Sequence, residues 1–387
     1  MRKFLASKVF GWALAATVGL LAAGVGLVPA APAAPEEPKA INVDVVICLD
    51  VSGSMQGLWN SAKVKLWDIV NDLAKIKPTP NLRVGLYSYG HTTYDAQKGW
   101  VRKEVDLTGD LDAIYQKLNA LTINGGTEYV TRVCRDAIVD QKWSEDPKAL
   151  KLIFVCGNEP ASQDPTLKLK DIAEQAIAKG IVINPIFCGP ASHRDATDWK
   201  EFAGYAKGQF AAIDQDRGTV VIAAPQDKEL AELSNKLSET YIAYGKDGKG
   251  LQANQLAQDR NAEQAGAPAA AGRAESKATG LYRNGAWDLV DKLKADPKFD
   301  VKKIPVEELC DAMKKMKPEE REAYVKEMLA KREAMQKQIV ELSAKRQAYI
   351  AEEMKKNPTK GDTAFDEAVR RSIREQAEQK GIKLPTK

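Results

Sequence analysis

The stretch VVICLDVSGSM, from Val45 to Met55, decides the fold, because an apolar run ends abruptly on a carboxylate. An uninterrupted run of Val, Ile and Leu is typical of a strand buried on both faces, as in a parallel sheet. Asp50 ends the run, and Ser52 and Ser54 follow at alternate positions. Open parallel sheets place their binding sites beyond the carboxyl ends of the strands. One carboxylate and two hydroxyls suit a hard cation such as Mg²⁺, although a plain capped turn into a helix would have the same pattern.

Strand-like runs alternate with helical stretches between residues 42 and 245. The runs are VDVVICL, RVGLYSYG, WVRKEVDL, LKLIFVC, IVINPIFC and GQFAAID. The second and third runs follow one another without a helix, which predicts an antiparallel hairpin at the edge of the sheet. The predicted fold class is therefore α/β, with a doubly wound, mostly parallel six-stranded sheet flanked by helices and an α-helical C-terminal region.

The first 34 residues have the pattern of an export signal. Basic residues precede an uncharged apolar run at residues 9–28, and the small residues PAAPAA follow it. This pattern predicts a signal peptide, and the length of the run leaves a retained membrane anchor as the alternative. Both interpretations predict export to the periplasm, the cell surface or the medium.

Composition argues against several classes of function. The 387-residue chain has a formal net charge of +4, of which only about +1 remains without the N-terminal cations, so no basic field indicates nucleic-acid binding. The five cysteines lie in apolar or helical stretches without a Cys-x-x-Cys pair, which predicts free thiols and no zinc site. His91 is expected on an exposed loop, and His193 in a capping or surface role. With no catalytic constellation evident, we expect a protein that is not an enzyme.

Further motifs join the first one along the chain. INGGTEYV places Thr127 after two glycines at the start of a predicted helix, and LIFVCGNEP ends a strand in a turn. Together with Asp-x-Ser-x-Ser, these motifs resemble the von Willebrand factor type A (VWA) domain over residues 42–245. The resemblance implies a metal-ion-dependent adhesion site (MIDAS) at the carboxyl end of the sheet. In the family, the serines and the threonine ligate Mg²⁺, which here implies Ser52, Ser54 and Thr127. Asp50 would act largely through water, and a carboxylate of the partner would take the open position.

One position departs from the pattern of this family. The family usually has Thr-Asp-Gly-Glu-Pro where this chain has Cys-Gly-Asn-Glu-Pro, so Gly157 replaces an aspartate. Three alternatives stay open: Asn158 or Glu159 substitutes for it, the site binds metal weakly, or the site has lost metal. The predicted metal ligands are Asp50, Ser52, Ser54, Thr127 and, as the substitute, Asn158, with Mg²⁺ expected ahead of Mn²⁺ or Ca²⁺. The predicted partner-binding rim is formed by Glu159, Tyr129 and Trp59.

Composition changes after residue 245. Residues 246–280 have almost no large apolar side chain and are predicted to be a flexible linker. Residues 281–387 are helical, with a coiled-coil-like apolar stripe from Val325 to Tyr349 that Arg332 and Arg346 interrupt. Because arginines at a helix seam are costly to desolvate, we expect the stripe to pack within the chain, with self-association as the alternative.

These features predict an exported, non-enzymatic VWA protein that engages a protein or peptide carboxylate through a partly degenerate MIDAS. The alternative is a structural or assembly protein with a metal-free VWA domain, whose helical tail oligomerises.

Overall fold

The computed structural model describes residues 40–57, 70–74, 76, 78–213, 222–356 and 363–381. The predicted signal or anchor at residues 1–34, including the run at 9–28, lies outside these ranges, as does Trp59. Within them, no helix is both long enough and apolar enough to span a bilayer. The division into residues 42–245 and 281–387 stays a prediction.

Six strands form one sheet in the order β3-β2-β1-β4-β5-β6. Only β3 is antiparallel to its neighbour, and β2 and β3 form the edge hairpin that the sequence predicts. The predicted α/β fold class is therefore confirmed. The strands are β1 (Asn42–Asp50), β2 (Asn81–Tyr89), β3 (Val101–Thr108), β4 (Leu150–Gly157), β5 (Val182–Phe187) and β6 (Ala211–Ala212).

Helices cover both faces of the sheet. Alternate residues of β1 enter two cores: Val45 and Ile47 face the core that contains α1 and α5, whereas Val46 and Cys48 face the core that contains α2, α3 and α4. This burial on both faces explains why the strand reads as a continuous apolar run. The helices are α1 (Leu111–Ala120), α2 (Val130–Asp140), α3 (Leu169–Ala178), α4 (Ala196–Tyr205), α5 (Asp227–Ser238), α6 (Gly248–Gln264), α7 (Ala267–Ala278), α8 (Leu289–Ala295), α9 (Asp311–Lys314), α10 (Pro318–Lys356) and α11 (Thr363–Gln379).

The segment predicted as a flexible linker is helical, so that prediction is wrong. Most of residues 246–280 lies in α6 and α7, and α7 packs closely against α5. The inner face of α7 is built from small side chains, because Ala270, Ala271 and Ala274 are buried. A composition rule that looks for large apolar residues overlooks a helix that is buried through alanines and paired charges.

Four buried charges hold α7 in place. The Arg273 guanidinium lies 2.6 Å from Asp112 of α1 and 2.9 Å from Asp259 of α6. Lys277 lies 2.8 Å from the same Asp259 and donates to Ser238 of α5. Two cations therefore face two carboxylates, and this balance makes the burial of all four tolerable.

The two arginines that interrupt the apolar stripe of α10 are themselves buried. Arg332 lies 2.5 Å from Asp288 and 2.7 Å from Asp291, and its guanidinium stacks 3.8 Å from the centre of the Tyr241 ring. Arg346 lies 2.6 Å from Asp227, the first residue of α5. The stripe therefore packs within the chain, as expected, with Val325, Met328 and Ile339 buried on the same face.

The cysteines are free. Cys48 in β1 and Cys156 in β4 lie on neighbouring strands, and Leu49 rather than Cys48 is paired to Cys156. Burial raises the pKa of both thiols well above its usual value, so both stay neutral and unreactive in the folded protein.

Replacing Arg332 with Met should lower the free energy of unfolding by about 3–5 kcal/mol, because Asp288 would keep a buried charge without its partner. The control is Lys331→Met on the exposed face of the same helix, where the ion pair with Glu327 is open to solvent. Chemical unfolding of both variants measures the difference. Equal effects would show that the Arg332 pairs do not hold α10 in place.

Lys277 should make the protein more stable as the pH rises. Burial lowers the pKa of Lys277 from 10.5 to about 8, although Asp259 opposes this shift. Between these values the unfolded chain binds more protons than the folded one, so stability increases with pH through that window. Relative to Lys277→Met, the wild type should gain roughly 2 kcal/mol between pH 7 and pH 10. Because tyrosines and thiols titrate in both proteins, their contributions cancel in the comparison. A difference in stability between wild type and Lys277→Met that stays constant or falls with pH would contradict the lowered pKa of Lys277.

Candidate metal-binding site at the strand ends

Three loops meet at the carboxyl ends of β1 and β4, which are neighbours in the sheet. The first follows Asp50, the second follows Gly157, and the third precedes α2 and contains Thr127. The amide of Asn124 donates to the carbonyl of Val51 over 3.1 Å, which fixes the third loop beside the first. A side chain at Gly126 would begin 1.9 Å from the carbonyl oxygen of Gly90, so only glycine permits this approach.

A chain of polar contacts links the predicted ligands. The Ser52 amide donates to Asp50 Oδ1 over 2.8 Å, and the Ser52 and Ser54 hydroxyls lie 2.9 Å apart. The Ser54 hydroxyl then donates to Asn158 Oδ1, also over 2.9 Å. Asn158 is thus in contact with the serine pair, as the predicted ligand set requires. Thr127 is half-buried in the adjoining loop.

Asp50 is fully buried, and its Oδ2 has no hydrogen-bond partner among the described residues. Burial raises the pKa of Asp50 to about 7, hydrogen bonds from Ser52 oppose this, and the charges of Glu128 and Glu159 add to it. A buried carboxylate oxygen without a donor is costly unless something positive binds it. The site therefore fits a divalent cation.

Neutral oxygens would supply most of the ligands. Among the described residues there is no group of three His, Cys, Asp or Glu side chains that could hold a metal ion. The donors that converge here are one buried carboxylate, hydroxyls and one amide oxygen, a set that favours a hard ion such as Mg²⁺ over zinc.

Two aromatic side chains fill the space beside Gly157. A side chain at this position would begin 2.6 Å from the Tyr89 hydroxyl and 3.0 Å from the Trp199 ring. Both aromatics are fully buried and hydrogen-bonded to the same turn: Tyr89 donates to the Cys156 carbonyl and Trp199 to the Glu159 carbonyl. Gly157 is therefore part of the packing, and an aspartate at this position would have to displace Tyr89 or Trp199.

The predicted rim residues differ in their surroundings. Tyr129 is half-buried, with its ring 5.7 Å from that of Trp100 and 5.0 Å from the Arg132 guanidinium, so it has packing contacts of its own. The charge of Glu159 acts on Asp50 and on Glu128, which places it at the site electrostatically. The third rim residue, Trp59, lies outside the described residues.

The expectation of an exposed His91 is wrong. His91 is buried, its ring stacks on Tyr94 at 4.9 Å, and its Nδ1 lies 2.9 Å from the Thr93 hydroxyl. The loop after β2 folds back on itself, since the Tyr94 amide donates to the His91 carbonyl. His193 is half exposed, in agreement with a surface role.

Sequence reasoning did not predict the packing of Tyr89 and Trp199 against the turn after β4. The signal for them was Gly157 itself, because a glycine inside a strand pattern often marks the close approach of other atoms. Asp164, near the site in sequence, has a structural partner. Burial alone would raise the pKa of Asp164, but hydrogen bonds from Arg132 and Thr166 hold it well below its usual range.

Comparison with known proteins agrees with this arrangement. Residues 44–228 match the family model of the von Willebrand factor type A domain. This part of the chain is a VWA domain. A comparison with curated proteins gives no match.

Solved structures similar to the chain include other VWA domains. The VWA domain of SpRpn10 is 17% identical, with 45% of this chain and 89% of that chain covered and a TM-score of 0.36. The vWF domain of the type V pili tip protein Mfa5 from Porphyromonas gingivalis is 15% identical, with 47% and 92% covered and a TM-score of 0.36. Proximal thread matrix protein 1 from the mussel byssus, with a zinc-occupied MIDAS motif, is 14% identical, with 46% and 43% covered and a TM-score of 0.34. At these values the likenesses add no argument to the family match.

Gly157→Ala should lower the free energy of unfolding by about 1–3 kcal/mol, because the new methyl group collides with Tyr89 and Trp199. Tyr89→Phe alone should cost about 0.5–1.5 kcal/mol through its lost hydrogen bond. In the double variant, removal of the hydroxyl makes room for the methyl group, so the loss should be smaller than the two single losses together.

The matched control is Gly204→Ala in α4, where nothing lies within 4 Å of the position that the methyl group would take. Unfolding of all four variants completes the measurement. Strict additivity of Gly157→Ala and Tyr89→Phe would contradict the proposed packing.

Proposed function

We propose that this protein binds a protein partner through the VWA domain, at the carboxyl ends of the strands, with a divalent cation bound between them. Asp50, Ser52, Ser54, Thr127 and Asn158 would hold the cation. The cation would supply a positive charge that attracts a carboxylate of the partner. The proposed role is binding, without a chemical step.

The observation that carries the proposal is Oδ2 of Asp50. This oxygen is completely buried and has no hydrogen-bond donor among the described residues. Three oxygens that could ligate a cation lie nearby in a row, because the Ser54 hydroxyl is 2.9 Å from the Ser52 hydroxyl and 2.9 Å from Asn158 Oδ1. A turn with a purely structural role would have given the carboxylate a second donor, because an unsatisfied buried charge destabilises the fold. A cation supplies that missing interaction.

The partner is proposed to offer an aspartate, a glutamate or a C-terminal carboxylate. Most of the proposed ligands are neutral oxygens, so an anionic oxygen of the partner remains a favourable further ligand of the bound cation. A carboxylate is the ligand type that Mg²⁺, Mn²⁺ and Ca²⁺ share. The proposal includes export of the protein, which rests on the sequence of residues 1–34.

The alternative of an assembly protein with an oligomerising tail has less support. The apolar stripe of α10 is buried against α8 and against the core that contains α5 and α7. Self-association would therefore have to use another surface of the chain, and it stays a prediction.

The cation can be tested by thermal unfolding in chelator and in increasing Mg²⁺ or Mn²⁺. The wild type should become more stable with cation, by about 2.7 kcal/mol when the free cation reaches 100 times its Kd. Asp50→Asn should show no such gain. The control is Asp106→Asn, which removes an exposed carboxylate on β3. An unchanged wild type, or an Asp50→Asn variant that gains equally, would refute the site.

The partner class can be tested by selecting peptides from a random library on the immobilised protein in Mg²⁺. Enriched peptides should share an acidic residue, and they should lose binding on Asp→Asn or Glu→Gln replacement, in chelator, and on the Asp50→Asn protein. Peptides that bind equally in chelator would exclude a cation-bridged carboxylate as the mode of recognition.

A further inference from the structure

Glu128 brings a second carboxylate group to Asp50. A side chain at Gly90 would begin 3.0 Å from Asp50 Oδ1, 3.2 Å from Glu128 Cγ and 3.3 Å from Ser52 Cβ, so all three groups surround one point. Gly90 has a φ of +84°, a conformation that favours glycine. The loop after β2 thus leaves a space into which side chains from the first and third loops point.

The electrostatics agree with this proximity. Burial and the charge of Glu159 raise the pKa of Glu128, while a hydrogen bond from Ser52 opposes the shift. Glu128 in turn raises the pKa of Asp50. The charge of Glu128 thus disfavours ionisation of Asp50, and a cation between the two carboxylates would remove that repulsion.

We propose that Glu128 supplies the second negative charge of the metal site, in place of the aspartate that Gly157 lacks. This inference rests on the proposed function of the same site. Two neighbouring carboxylates alone would not indicate that a cation binds between them. The independent observation is the fully buried Asp50, whose Oδ2 has no hydrogen-bond partner among the described residues and whose Oδ1 borders the same space at Gly90 as Glu128.

In this proposal the site keeps two negative charges, but the second comes from the loop before α2 instead of the turn after β4. An aspartate after β4 would approach the site from the place that Tyr89 and Trp199 occupy. Glu128 approaches from the loop before α2, next to the predicted ligand Thr127, and its longer side chain allows it to reach Gly90.

The test is a calorimetric titration of the full chain with Mn²⁺ and Mg²⁺ for the wild type, Glu128→Gln, Glu159→Gln and Asp50→Asn. Loss of the Glu128 charge should weaken cation binding at least tenfold, because ligand charge sets affinity. Glu159→Gln is the matched control, and its effect should be clearly smaller.

The outcomes separate the two ideas. A wild type that binds cation while Glu128→Gln binds within twofold of it would overturn the role of Glu128 and leave the proposed function standing. Equal losses of cation affinity for Glu128→Gln and Glu159→Gln would also overturn it, since they would indicate a long-range electrostatic effect of both acids instead of ligation by Glu128. A wild type that binds neither cation at millimolar concentration would refute the proposed function and this inference together. Circular dichroism of each variant in chelator verifies that it is folded.

Discussion

Asp50 is fully buried because it ends a strand that helices cover on both faces. One of its carboxylate oxygens has no hydrogen-bond donor among the described residues. Burying a carboxylate in this way opposes folding, so other interactions at the site have to offset its cost. The Ser52 amide stabilises one oxygen. A cation at the other oxygen would turn the remaining cost into binding free energy, which gives a physical reason for placing the carboxylate at the end of a central strand.

The surroundings of Gly157 show how a site can lose one acid and still be organised. Tyr89 and Trp199 occupy the volume beside this glycine and bind the carbonyls on both sides of it, so the turn after β4 is rigid without a carboxylate. That rigidity holds Asn158 against Ser54. The substitution therefore exchanges charge for packing at one strand end, and in the site proposed here Glu128 would supply the charge from another loop.

The sequence predicted those elements whose residue pattern has a single structural explanation. The apolar run before Asp50 predicted a central strand because a strand buried on both faces leaves no polar positions. The contact between Asn158 and Ser54 followed from the adjacency of β1 and β4. Glu128 is close to the site in sequence, but the space that it shares with Asp50 depends on the φ of Gly90 and on the path of the loop after β2, which the sequence pattern does not specify. The burial of His91 depends on the same loop.

The region after residue 245 shows the opposite case, in which a stretch poor in large apolar residues is nevertheless helical and buried. Arg273 and Lys277 look solvated in a stretch poor in large apolar residues, yet each lies against a buried carboxylate of another helix. Arg332 and Arg346 in α10 follow the same rule, because each has its own acid within the chain. A second copy of α10 could take over this face only by separating Arg332 from Asp288 and Arg346 from Asp227. Breaking either pair would leave a buried charge alone, so these arginines favour packing within one chain over association of two.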